Sequence, residues 1–213
     1  MNLLEAKNLS HAFDYELFND ISITLSKGES VAIVGRSGSG KSTILHILST
    51  LLKPNGGKVF YKGKDIYSLN DKELLAIRRY EMGIIFQSHY LFKGFTGFEN
   101  IKIASLISQK PIYRSLLRRL GIENTLKKNV GDLSGGQQQR ISIARVLVKS
   151  PTIIFADEPT GNLDKETAED VMNVLFSYIY EKEGAMLLVT HDEELAKKCS
   201  RAYRLKDKTL NLM

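Results

Sequence analysis

Four short runs constrain this chain more than any other feature. "SVAIVG" (Ser30–Gly35), "MGIIFQ" (Met82–Gln87), "TIIFADE" (Thr152–Glu158) and "AMLLVTH" (Ala185–His191) are each apolar in their centre and end on glycine or a polar group. A strand with one wet face alternates apolar and polar residues. A continuous apolar run is what a strand covered on both faces requires. Between and after the runs lie helical patterns at Lys41–Leu52, Asp71–Tyr80, Gly135–Lys149 and Lys165–Glu183. Strands alternating with helices predict an α/β fold built on a parallel sheet. Further strands are expected in "LLEAKNLSHAF", "ISITLS" and "KVFYKGKDI", the last set off by Pro54-Asn55-Gly56-Gly57. From Ser88 to Lys149 no strand is expected, and this segment reads as a helical insertion between two core strands.

The first run leads directly into "GRSGSGKST", Gly35 to Thr43. The pattern G-x-x-x-x-G-K-[ST] between a strand and a helix is a phosphate-binding loop. Gly35, Gly38 and Gly40 let the backbone wrap closely, so that the N–H groups of Arg36, Ser37, Ser39 and their neighbours can point at phosphate oxygens. The following helix offers its positive N-terminal end to the same anion. Lys41 is expected to reach the β- and γ-phosphates, and the Ser42 hydroxyl to ligate Mg²⁺.

The third run delivers Asp157 and Glu158 to the C-terminal end of its strand, the edge where open α/β sheets bind ligands. Asp157 is expected to hold Mg²⁺ opposite Ser42. Glu158, pointing elsewhere, could orient or deprotonate an attacking water. Gln87 and His191 end the other two runs on the same edge, where an amide can touch metal and water and an imidazole can contact the γ-phosphate. Phe13 could stack on adenine or simply pack in a core, with Tyr15 a competitor for the stacking role.

Composition narrows the class. The 213 residues suit one domain with a sizeable core. One cysteine, Cys199, leaves no internal disulfide and fits a reducing cytosol. The opening "MNLLEAKNLS" lacks the apolar run of a signal peptide, and no stretch approaches the ~18 apolar residues of a membrane span. A cytoplasmic protein without direct membrane insertion is expected. The net charge of +6 fits solvated helix faces, anionic lipid or phosphate ligands. Lysine and arginine are scattered, with no basic tail, so no nucleic acid is expected as a partner.

One segment, "LSGGQQQR" (Leu133–Arg140), starts a helix with serine and two glycines but contains no acid, base or nucleophile. Such a start is an anion site without its own cation. The phosphate loop, "LSGGQQQR", "ADEPTGNLD" and "VTHD", in this order, resemble the ATP-binding subunits of ABC transporters across Leu3 to about Leu212. The resemblance implies a P-loop NTPase fold with a RecA-like parallel-sheet core, an N-terminal antiparallel β subdomain and an inserted α-helical subdomain. It implies one domain over 1–213, with 1–87 and 150–213 forming the core and 88–149 the helical subdomain. It further implies ATP and Mg²⁺ as ligands and a head-to-tail homodimer. In that dimer Ser134, Gly135, Gly136 and Gln137 close over a neighbour's ATP, and the Asn162-Leu163-Asp164 turn lines the interface. Integral membrane permease subunits are the implied partners, at the cytoplasmic face of the inner membrane.

Within the family, "IIFQSHYLFKGFTGFENI" and the motifs above look most like the lipoprotein-releasing (LolD-type) and macrolide-exporter (MacB-type) branch. Lys93-Gly94 and Gly97 depart from that branch's usual residues. A cell-division (FtsE-type) regulatory ATPase has identical motifs and is the alternative. DNA-repair members carry coiled-coil or zinc insertions that this sequence lacks.

Overall fold

A computed structural model describes residues 2–161 and 163–213. Two sheets carry the chain. The first is antiparallel, in the order β2-β1-β4-β5, with β1 Asn2–Ala12, β2 Glu16–Ser26, β4 Gly56–Tyr61 and β5 Lys64–Asp65. The second runs β10-β9-β3-β8-β7-β6, with β3 Glu29–Val34, β6 Met82–Ile85, β7 Ile153–Asp157, β8 Ala185–Thr190, β9 Arg201–Lys206 and β10 Thr209–Leu212. All its pairings are parallel except β9 with the edge strand β10.

The four apolar runs are β3, β8, β7 and β6, four successive strands of the second sheet with β6 at its edge. Their alternate residues divide between two cores. Val31, Ile33, Phe155 and Leu187 pack with β1, β2 and helix α1 (Lys41–Leu48) in the layer facing the first sheet. Ala32, Val34, Ile154, Ala156 and Leu188 pack on the other face against α5 (Gly135–Leu147) and α6 (Lys165–Lys182). Both faces are dry, which is why the runs carry no polar alternation.

Between β6 and β7 lie α3 (Gly97–Ser108), α4 (Arg114–Arg119), two short 3₁₀ turns and α5, with one isolated bridge, Thr96 to Asn129. The remaining helices are α2 (Asp71–Tyr80) and α7 (Glu193–Lys197). Capping boxes start α2, α3 and α5: Asn70 with Glu73, Thr96 with Glu99, and Ser134 with Gln137.

Several expectations shift. "KVFYKGKDI" is a hairpin rather than one strand, because Lys62 and Gly63 both take positive φ (48° and 80°) and turn β4 into β5. The first helix stops at Leu48 instead of Leu52, and the chain reverses through Thr50 at φ 69°. The two departures near α3 have local causes. Gly94 sits at φ 87°, a conformation that favours glycine. At Gly97 a Cβ would come within 2.6 Å of the Ile141 side chain, so the missing methyl lets α3 lie close on α5.

Candidate active site

The phosphate loop leaves β3 at Gly35 and enters α1 at Lys41, with Gly40 as the helix N-cap at φ 101°. No side chain caps this helix, so its first N–H groups stay available to an anion. Lys41 is 7% exposed, and its ammonium donates to the carbonyls of Gly35 and Arg36, both at 2.9 Å. Burial pulls the Lys41 pKa down, while the charges of Glu158 and Asp157 act to raise it. Arg36, Ser37 and Gly38 are exposed at the rim, and Thr43 is half-buried one residue after Ser42. The Ser39 hydroxyl is buried without a hydrogen-bond partner.

Adjacent strands bring the remaining groups to the same edge. Ser42 Oγ donates to Asp157 Oδ1 at 3.1 Å. Burial pushes the Asp157 carboxyl above the usual aspartate value, opposed by that hydrogen bond. Glu158 follows β7 at φ 46°, held by its own N–H donating to the Val189 carbonyl of β8 at 2.9 Å. Thr190 Oγ1 donates to Glu158 Oε2 at 3.1 Å, and His191 Nδ1 lies 2.9 Å from Oε1. The carboxylate is mostly covered, while the His191 ring stands in solvent. Gln87 follows β6 with its amide nitrogen beside Gly161. The structure therefore gathers Lys41, Ser42, Asp157, Glu158, Gln87 and His191 around one end of the parallel sheet.

Phe13 is 62% exposed at the tip of the β1–β2 hairpin, edge-on to the His11 ring at 4.8 Å, so it is not a core residue. Tyr15, at 66%, shares the tip. Ser134 caps α5: its Oγ accepts from the Gln137 N–H at 3.3 Å, while Gln137 Oε1 accepts from the Ser134 N–H at 3.1 Å. Gly135 is exposed and Gly136 faces the Leu163 side chain. Asp164 caps α6 through the Thr167 N–H at 2.9 Å, which holds its exposed carboxyl below the usual value. Asn162 lies outside the described residues. Among those residues no hydrogen bond joins Ser134–Gln137 to Gly35–Thr43 of the same chain.

Two groups in the site were not singled out by the sequence. Thr190 fixes Glu158, and its signal was its place between a buried strand and His191. Gln139 is buried within α5; its spacing from Ile143 and Val146 puts a polar residue on a core-facing stripe. Gln138 Nε2 donates to the carbonyls of Val130 and Leu133, both at 3.0 Å, tying the segment ahead of the cap to α5.

The family model for the ABC transporter matches residues 18–161. The lipoprotein-releasing system ATP-binding protein LolD of Aquifex aeolicus is 42% identical, covering 96% of this chain and 94% of that protein. The ABC transporter ATP-binding protein YtrE of Bacillus subtilis is 37% identical, covering 98% and 96%. Among solved structures, the ATP-binding cassette MJ0796, dimeric in a post-hydrolysis state bound to ADP and Pi, superposes with a TM-score of 0.89 at 32% identity, covering 98% and 96%. With a parallel-sheet core, an antiparallel β sheet beside it and helices inserted after β6, this chain belongs to the ABC transporter family as an ATP-binding cassette.

Proposed function

We propose that this chain binds and hydrolyses ATP between two copies of itself and uses the cycle to drive membrane permease subunits. The observation that carries the chemistry is the Ser42–Asp157 hydrogen bond beside buried Lys41, with Glu158 oriented one residue away by Thr190 and His191. Phe13 at its hairpin tip offers a face to adenine, and Gly35 through Thr43 wrap the phosphates.

The oxygen donors fit Mg²⁺. Among the described residues no cluster of three or more His, Cys, Asp or Glu could hold a metal alone. Ser42 and Asp157 would hold the ion through hard oxygens. Bound there, with Gln87 nearby, the metal supplies charge neutralisation on the phosphates. Glu158 accepts a hydrogen bond from the attacking water and takes its proton as oxygen bonds to the γ-phosphorus and the bond to ADP breaks. Lys41 stabilises the charge that develops on the phosphates. A neutral His191 has one N–H, which serves either Glu158 or the γ-phosphate; the imidazolium serves both.

The second half of the site comes from the neighbour's Ser134–Gln137, with Asp164 and the turn before it at the interface. The dimeric relatives support this arrangement. Loss of the γ-phosphate removes the anion that joins the halves, and the dimer opens.

Permease subunits have a place to dock. An apolar groove of about 670 Å³ lies where the helical insertion meets the sheet, lined by Leu51, Leu75, Phe92, Ile103 and Ile107 and rimmed by Arg78, Arg79 and Arg145. Among the described residues no helix is long and apolar enough to cross a membrane, so a spanning partner supplies the membrane attachment at the cytoplasmic face. Lipoprotein release is the proposed task, supported by the LolD relatives. On depletion, lipoproteins should accumulate in the inner membrane; filamentous cells with unsplit septa would instead favour the division-type alternative.

Glu158→Gln tests the sandwich. The variant should lose at least about a hundredfold in turnover yet form a stable dimer with ATP and Mg²⁺ by size-exclusion chromatography. A strictly monomeric variant under those conditions would refute the dimer.

A further inference from the structure

Gln139, one of the three glutamines of "LSGGQQQR", is 2% exposed and makes two contacts that leave α5. Its Nε2 donates to the Pro159 carbonyl at 2.8 Å, and its Oε1 meets His89 Nδ1. Pro159 follows Glu158, and His89 lies two residues beyond Gln87. One buried amide therefore joins the helix bearing the neighbour's half-site to both loops that carry groups to the γ-phosphate.

Donor counting fixes the orientation. The Pro159 carbonyl can only accept, so the amide must turn its NH₂ there. Oε1 then faces His89, whose Nδ1 must carry a proton. The backbone gives the contact its force. Glu158 occupies the left-handed region, which a non-glycine residue holds only when its surroundings over-determine it. The Val189 carbonyl pins the Glu158 N–H, and Gln139 pins the carbonyl of the next residue, Pro159. Arg145 adds to the clamp, donating to the carbonyls of Tyr90 at 2.7 Å and His89 at 3.0 Å while also lining the apolar groove.

We propose that Gln139 is a positioning residue for hydrolysis: through Pro159 it holds Glu158 in register with the water, and through His89 it ties that register to the Gln87 loop. The inference rests on the reading of Glu158 as the residue that activates water.

The test has a kinetic and a spectroscopic arm. Gln139→Leu should lower kcat for ATP by at least tenfold with KM within about twofold, because the Gly35–Thr43 loop is untouched. His89→Phe, which changes the partner outside α5, should lower kcat about three- to tenfold with the same split. In wild-type protein, long-range ¹H–¹⁵N spectra of the imidazoles should show His89 protonated at Nδ1, and Gln139→Leu should abolish that preference. Unchanged kcat in Gln139→Leu, a rise in KM alone, or His89 as the Nε2–H tautomer would overturn the proposal. If Gln139→Leu does not fold, His89→Phe and the wild-type tautomer still decide it. Glu158→Gln run alongside separates the two readings. Should that variant hydrolyse ATP normally, the water-activating role fails first; should it be dead while Gln139→Leu is as active as wild type, only the positioning role fails.

Discussion

At the scale of single residues, Asp157 shows a conflict between stability and function. Its carboxyl is buried beside another acid, and burial raises its pKa above 3.8. Between the ordinary and the raised value the folded state holds a proton that the unfolded chain releases, so folding stability falls as pH rises through that window. At neutral pH the ionised group is a net cost that Asp157→Asn removes while keeping an acceptor for Ser42. Without nucleotide, the variant should melt higher by about 2–4 °C at pH 7.5, the shift that about 1 kcal/mol makes in a domain of this size. Thermal melts across pH should show the gain shrinking toward pH 4, and Mg²⁺-dependent hydrolysis should be lost. The candidate ligands were legible because strand ends concentrate them: Asp157, Glu158, Gln87 and His191 each close an apolar run. Thr190 and Gln139 were not, since a threonine in a strand and a glutamine in a helix look like ordinary fillers until their partners from distant segments are known.

Among the elements, the joint between the two sheets depends on Glu81, the residue between α2 and β6. Its Oε2 accepts from the Tyr61 hydroxyl at 2.6 Å, the Thr152 hydroxyl at 2.6 Å and the Lys62 ammonium at 3.0 Å. Burial would raise its pKa, but hydrogen bonds from Thr152, Tyr61 and Lys62 outweigh it and hold the carboxyl below 4.5. A depressed carboxyl contributes stability that is present above its unfolded value and lost as pH falls through the folded one. Glu81→Gln should therefore cost about 1.5–3 kcal/mol at pH 7. In urea unfolding, the gap from wild type should close as the pH drops below 4.5. Such cross-links are why some elements escaped the sequence. β9 contains Arg201, Arg204 and Lys206, which hide its strand pattern; Arg201 is paired with Glu29, and Arg204 forms a two-pronged bridge to Glu193. The core strands had no such disguise, because both of their faces are apolar.

For the whole molecule, the proposed permease-docking groove offers a wall that lies apart from the phosphate loop. Leu75 is 62% exposed on its wall and far in sequence from the phosphate loop. Placing a carboxylate there, by Leu75→Glu, should reduce co-purification with the permease at least tenfold while ATP hydrolysis by the isolated cassette stays within twofold; pull-down and phosphate release measure the two. Assembly of two cassettes depends on a different surface, and its character follows from the cap on α5. Ser134 Oγ already accepts a hydrogen bond from its own helix and keeps its hydroxyl proton to give away, so the proposed half-site is already capped before a neighbour arrives. Docking then freezes little that was loose. The encounter of two cassettes around ATP should be limited by collision and orientation rather than by folding of the Leu133–Arg140 segment, and its lifetime set by how long the phosphate stays intact.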